Sequence, residues 1–173
     1  ERLDEDPGLY PAWNICVKKA TTDLIGNWNV DDRKPPWSLE VLRDAFITKP
    51  EIDVSYGKTV FSLVENENWE QVNPVYFFQA QPTNHWKDLL KNNHPHCMPV
   101  WKRSLHDEHG FFNEKYLTAA DSDMWIRAMK KGAKLFFVDE TVGVYYKNPE
   151  GISTNLKNLR KMLLEVNGMR RSH

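Results

Sequence analysis

The sequence is poor in the features that would narrow it quickly. It has two cysteines, Cys16 and Cys97, far apart and outside any Cys-x-x-Cys pair. They make no zinc site by themselves and read as buried thiols of a reducing compartment, with a single disulfide as the alternative. No apolar run approaches the roughly 18 residues of a membrane span. No signal peptide opens the chain. There is no basic surplus either: 23 Lys and Arg stand against 24 Asp and Glu, for a formal net charge of −1. That balance argues against nucleic acid as a partner. No Gly-x-Ser-x-Gly elbow is present, and the eight glycines are scattered rather than gathered in a phosphate loop. These gaps weigh against an acyl hydrolase, a P-loop enzyme and a dinucleotide oxidoreductase. There is no internal repeat and no low-complexity segment.

What is present is a folding composition. The chain has 173 residues, 40% of them hydrophobic, with seven Trp. That length suits one domain with a sizeable core, here taken as residues 1–173 with 155–173 as its C-terminal helix and tail. The first eight residues are polar and carry no strand, an abrupt start for an α/β domain, so an N-terminal portion is expected to lie outside this sequence.

The pattern predicts a helix over 9–20, with Pro11 in its first turn. A strand follows over 24–30. Ser38 reads as the cap of a helix over 39–47. Residues 52–64 carry strand formers around Gly57, as one bent strand or two short ones. A short strand is expected at 75–78 and short helices at 85–91 and 102–108. Residues 94–101 hold two prolines, and each residue before a proline avoids the helical region, so this stretch is extended or turn-like. A clear helix over 121–131 is closed by Gly132. Strands at 135–138 and 142–146 precede a final helix striped by Leu156, Leu159, Leu163 and Val166. The order is mixed α/β and βαβ-like at its start.

The stretch with chemistry in it is Asn29-Val30-Asp31-Asp32, at the end of an apolar run and before Pro35-Pro36. Carboxylates at a strand end sit where open α/β sheets bind ligands, and paired carboxylates suit Mg²⁺ or Mn²⁺. The plain alternative is a helix cap or a solvated loop. Asp121 opens the helix over 121–131, where it reads as a cap or as a general base. Asp123 stands four residues before Arg127, the spacing of an ion pair. Trp125 is core or a platform for a sugar ring. His94 with His96, and His106 with His109, have spacings a metal could use, but no third ligand is evident.

In order and spacing these pieces resemble family 2 glycosyltransferases, inverting sugar-nucleotide enzymes of the A-type glycosyltransferase fold. There a helix carrying an Asn precedes a strand ending in Asp-x-Asp-Asp; here stand Trp13-Asn14 and Asn29-Val30-Asp31-Asp32. A Met-x-Arg-Arg-like segment, a Gly-Phe-Asp-Glu and an Asp-x-Asp-Leu-Trp-Leu-Arg follow in the family. Here they are matched by Met98 to Arg103, Gly110-Phe111-Phe112-Asn113-Glu114 and Asp121-Ser122-Asp123-Met124-Trp125-Ile126-Arg127. The stretch Tyr145 to Thr154 is similar to the family's C-terminal turn.

The resemblance implies a three-layer α/β/α fold with a mixed, mostly parallel sheet, here without its first nucleotide-binding strands. It implies Mn²⁺ or Mg²⁺ at Asp31 and Asp32, donor binding by Asn29, Asp31 and Asp32, and Asp121 as the base. Asp123, Trp125, Arg127 and Arg103 would shape the acceptor side or support the base. The implied partners are a UDP- or GDP-sugar and a glycan or lipid-linked acceptor of polysaccharide synthesis. A second copy is expected to cover the exposed sheet edge. The implied location is the cytoplasm, peripheral to the inner face of a membrane at most. Three departures stand out. Asn29 replaces the first acid of the motif, Ala120 stands where the family often has Glu, and Asn148 stands where some relatives have a His. They keep a non-catalytic sugar-binding or assembly module in view. A metal-dependent phosphate-ester hydrolase is a third reading, lacking the further ligands of a two-metal site.

Overall fold

The computed structural model describes residues 4–72, 76–78 and 80–173. Helix α1 (Leu9–Lys19) leads to strand β1 (Leu24–Gly26), helix α2 (Ser38–Thr48) and strand β2 (Val54–Ser62). Strand β3 (Tyr76–Phe78), helix α3 (Trp86–Leu89), strand β4 (Val100–Lys102) and helix α4 (Leu105–His109) follow. Helix α5 (Ala120–Lys130), strand β5 (Leu135–Tyr146), a 3₁₀ turn (Leu156–Asn158) and helix α6 (Leu159–Ser172) complete the chain.

The class is the expected one, α/β with a mixed sheet. Strand β2 is its centre. It pairs with β5 in parallel from Val54–Leu135 to Ser62–Tyr146, with a register irregularity at Gly57 and Lys58. Its other edge is shared: β4 pairs antiparallel at Val54 and Ser55, and β3 antiparallel at Thr59 to Phe61. Strand β1 pairs antiparallel with β4. The parallel part is thus one long pairing, and the three short pairings are antiparallel. Strands β1, β2 and β5 run in the same direction, so their carboxyl ends share one edge of the sheet.

Alternation along the strands builds two cores. Val54, Tyr56, Trp101 and Leu135 face one side, with α1, α5 and Met169 of α6. Val100, Val142, Cys97 and Met98 face the other, with Leu42, Ala45 and Phe46 of α2. The period of two sends neighbours such as Val100 and Trp101 to opposite cores. This gives the three layers. Helix α5 is well buried: Ala120, Met124, Trp125, Ile126 and Ala128 are all at most 1% exposed. Each large apolar side chain there contributes about 1.5–3 kcal/mol.

Several boundaries differ from the sequence expectation. The strand expected over 24–30 stops at Gly26, and the acidic residues lie in the loop beyond it. Ser38 does not cap α2; its hydroxyl donates to the Val142 carbonyl at 2.7 Å and ties the helix to β5. The strands expected at 135–138 and 142–146 are one strand, held together by their common partner β2. Residues 100–102 pair as β4, so the helix expected from 102 begins at Leu105. The strand expected at 75–78 is observed at 76–78; Val75 lies outside the described residues. Among the described residues the outer edge of β1 is unpaired, and it borders a groove of about 270 Å³ that includes Trp13, Cys16, Ile25 and Trp28. Among the described residues no helix is long and apolar enough to cross a membrane.

Candidate active site

The loop after β1 crosses the sheet from one edge to the other. Asn27 donates to the Cys97 carbonyl at 3.1 Å, and Lys34 reaches the Met98 sulfur at 3.3 Å. Arg33 exchanges backbone hydrogen bonds with Val144 of β5, at 2.9 and 2.7 Å. This pinning sends two neighbouring carboxylates in opposite directions. Asp32 is 0% exposed. Its Oδ2 accepts from the Asn29 amide at 2.8 Å and its Oδ1 from the Tyr146 N–H at 3.2 Å. Burial pushes its carboxyl up to about 6, against the pull of those two donors. Asp31 opens instead into a cavity of about 580 Å³. Its Oδ2 accepts from the Asn148 amide at 3.4 Å.

Asp121 lies on the same cavity. Helix α5 runs into β5, so its first turn lies at the carboxyl edge where the acidic loop also lies. Asp121 is not the cap. Ala119 holds that position without a side-chain hydrogen bond, and Glu165 of α6 braces the segment just before the helix, its carboxylate accepting from the backbone N–H groups of Leu117, Thr118 and Ala119 at 2.5, 2.6 and 2.8 Å. An anion at a helix start is favoured by the helix dipole. Asp121 lies inside the first turn, where two side chains and one backbone N–H hold it. Tyr10 donates to Oδ1 at 3.3 Å and Asn93 to Oδ2 at 2.7 Å, while the Ser122 N–H donates at 2.8 Å. Burial raises the Asp121 pKa, and these three donors oppose it by stabilising the charged form. Burial and the Asp121 charge hold the Tyr10 phenol well above its ordinary range, so it remains a donor.

Tyr145, His96 and the turn from Asn148 to Thr154 complete the walls. His96 sits at φ 51°, a left-handed conformation, and its ring packs on Phe61 and Tyr145 at 5.5 and 5.1 Å. Burial lowers its pKa to about 4, so it is neutral at physiological pH. Trp28 is 56% exposed at the rim. A cavity of this size falls within the range of small-molecule sites.

The donor set fits a divalent cation in one way. Mg²⁺-type ions use one or two carboxylates and keep water or phosphate in their other positions. Asp31 meets that description, with its carboxylate on the cavity. Asp32 has both its oxygens engaged inward, by the Asn29 amide and the Tyr146 N–H, and braces the loop. Among the described residues no group of three His, Cys, Asp or Glu side chains is placed to hold a metal. The histidine pairs are used structurally: His94 Nδ1 accepts from the Gln81 N–H at 3.3 Å, and His106 Nε2 from the Trp101 indole at 3.0 Å.

The other expected residues lie behind the site. Trp125 packs on Trp101 and Phe112 and is core, not a sugar platform. Arg127 pairs with Asp123 at 2.8 Å and also binds the carbonyls of His109 and Phe111, so it holds the α4–α5 loop. His173 Nε2 lies 2.9 Å from the other Asp123 oxygen. Arg103 lies 3.7 Å from Asp107 and lines no part of the cavity. Asn14 ties α1 to the same loop through the N–H and carbonyl of Phe112 and through Glu114, at 2.9–3.0 Å. Tyr10 and Asn93 carried no motif. The available signal was the Tyr10–Asn14 spacing, which puts both on one face of α1.

The fold is similar to that of S. aureus TarS, a glycosyltransferase. The structure of TarS residues 1–349 matches with a TM-score of 0.62 at 18% identity, over 94% of this chain and 46% of that one. Its complex with UDP-GlcNAc matches with a TM-score of 0.65 at 16% identity, over 98% and 49%. The complex with UDP gives 0.60 at 15% identity, over 96% and 46%. This chain therefore spans about half the length of these structures. No family model and no curated protein sequence matches it.

Proposed function

We propose that this chain is an inverting glycosyltransferase of the family 2 type, taking its sugar from a nucleotide diphosphate donor. One observation carries the reading: Asp31 and Asp121 open on the same cavity, on a fold whose solved representative was captured with UDP and UDP-GlcNAc. A UDP-sugar is accordingly the first donor to test, and a GDP-sugar the second. The acceptor is a hydroxyl of a glycan or a lipid-linked sugar.

Asp121 takes the acceptor proton as the hydroxyl oxygen bonds the anomeric carbon. The bond from that carbon to the diphosphate oxygen breaks on the opposite face, so the configuration inverts. A base should have a pKa near the working pH, and burial moves Asp121 in that direction. Asn93 and Tyr10 orient its two oxygens. Asp31 would hold Mg²⁺ or Mn²⁺, whose charge would offset that of the departing diphosphate. Asn29 and Asp32 brace the loop that presents Asp31. The open edge of β1 is the place for a second copy of the chain, to be read by light scattering.

The experiment is calorimetric titration of Mn²⁺ with UDP and with GDP. Binding that requires the metal, disappears in Asp31→Ala and persists in Asp32→Asn supports the reading. Binding that is the same in Asp31→Ala removes it. The non-catalytic reading has its own support, because the Asn29 amide is occupied by Asp32 and Ala120 is buried in the core. It predicts nucleotide or sugar binding that never leads to transfer, with Asp121→Asn indistinguishable from the parent.

A further inference from the structure

We propose that the outer face of α6 docks on an anionic lipid bilayer. The helix rests on the domain through Val166 and Met169, and its only acid, Glu165, turns inward to the segment just before α5. What it shows to solvent is leucine and cation. Leu156, Leu159, Leu163 and Leu164 are 82%, 47%, 55% and 66% exposed. Soluble surfaces seldom gather so much aliphatic side chain on one helix without a partner. Between and beside these leucines stand Arg160, Lys161, Arg171 and, in the preceding turn, Lys157, all exposed. Among the described residues none of these four is in an ion pair. Residues 155–173 carry five Lys and Arg against one Asp or Glu, in a chain whose net charge is −1.

That combination is the signature of a helix lying in a membrane interface. Leucines enter the acyl boundary, while long basic side chains reach the headgroup phosphates. A second copy is a poor occupant, because a two-fold apposition would set the same cations against each other. Charge complementarity instead favours an acidic surface. The face is also continuous with the cleft, since Ile152, 41% exposed, lines the cavity just before the 3₁₀ turn. Docking through α6 brings the cavity mouth to the lipid surface. Surface binding stands without the transferase reading; only the delivery of a lipid-linked acceptor rests on it.

The test is flotation of the whole chain with vesicles of phosphatidylcholine, alone or with one-third phosphatidylglycerol, at low and high salt. Binding is expected only to the anionic vesicles and is weakened by salt. Arg160→Ala with Lys161→Ala should weaken it about 30-fold, the product of the usual contribution of two basic residues near an anionic surface. Leu163→Ser with Leu164→Ser should abolish it while leaving the circular dichroism and metal-dependent UDP binding of the parent. No binding to anionic vesicles overturns the proposal, as does binding indifferent to the leucine changes. Self-association lost in the leucine variant, without vesicle binding, also overturns it and gives the face to a second copy.

Discussion

Asp32→Asn tests the divided roles of the acidic pair most sharply. The side chain is 0% exposed, and burial moves its pKa from 3.8 to about 6. Because the folded value lies above the unfolded one, the folded state holds the proton more tightly. Asp32 therefore makes its most favourable contribution below about pH 4 and loses it as pH rises through about 6. At 1.36 kcal/mol per pH unit, the charged carboxylate costs the fold about 3 kcal/mol at neutral pH. Asn has nearly the same shape and does not titrate. Its carbonyl can accept from the Tyr146 N–H, while its amide meets the Asn29 side chain less well than the carboxylate does. That mismatch adds an offset at every pH and leaves the pH-dependent part intact. The stability difference between variant and parent should then shift by about 3 kcal/mol in favour of the variant between about pH 3 and pH 7. For a chain of this size that is about 6–12 °C in Tm. Urea unfolding followed by Trp fluorescence measures it directly. Asp121, His96 and His106 also titrate, but they are common to both proteins and cancel in the difference. Parallel stability curves across this range would refute the argument, because they would mean that Asp32 is not desolvated in the fold.

Two other substitutions probe the site and the sheet. Asn93→Leu removes the 2.7 Å donor to Asp121, so the Asp121 carboxyl should titrate still higher in ¹³C NMR; an unchanged or lower value would remove Asn93 from the site. Gly57→Ala would set a Cβ 2.7 Å from the Glu140 carbonyl and 2.9 Å from Val142 at the bulge between β2 and β5, costing about 1–3 kcal/mol. Gly168→Ala, in open space on α6, should instead add about 0.5–1 kcal/mol. Urea midpoints of the two glycine variants in the opposite order would contradict this account of the packing.

Much of the element order was readable because its signals are local. The apolar stripe of α5, Gly132 after its end and the strand formers around Gly57 all act over a few residues. Boundaries failed where a partner decided them. Residues 100–102 have no strand pattern of their own and pair because β1 and the start of β2 flank them. β5 passes through the exposed Asp139 and Glu140 without breaking, because β2 holds both halves in register. Ser38 was read as a cap from its residue type, but a carbonyl 104 residues away takes its hydroxyl. Asp121 had the residue type of a cap, yet the helix starts one residue earlier, Ala119 holds the cap position, and Asp121 lies inside the first turn.

By itself the sequence determined the α/β class, the order of the helices and longer strands, and the candidates Asp31, Asp32 and Asp121. Those follow from periodicity, residue type and spacing, which are properties of short stretches. Tertiary structure decided which carboxylate faces the cleft. The backbone pairing of Arg33 with Val144 turns Asp32 inward, and Asp31 is left outside. It also decided that Tyr10 and Asn93, 111 and 28 residues from Asp121, meet at its two oxygens. Adjacent residues of one type carry no local sign of which will be buried; that depends on partners brought from distant parts of the chain, and only the folded molecule sets them.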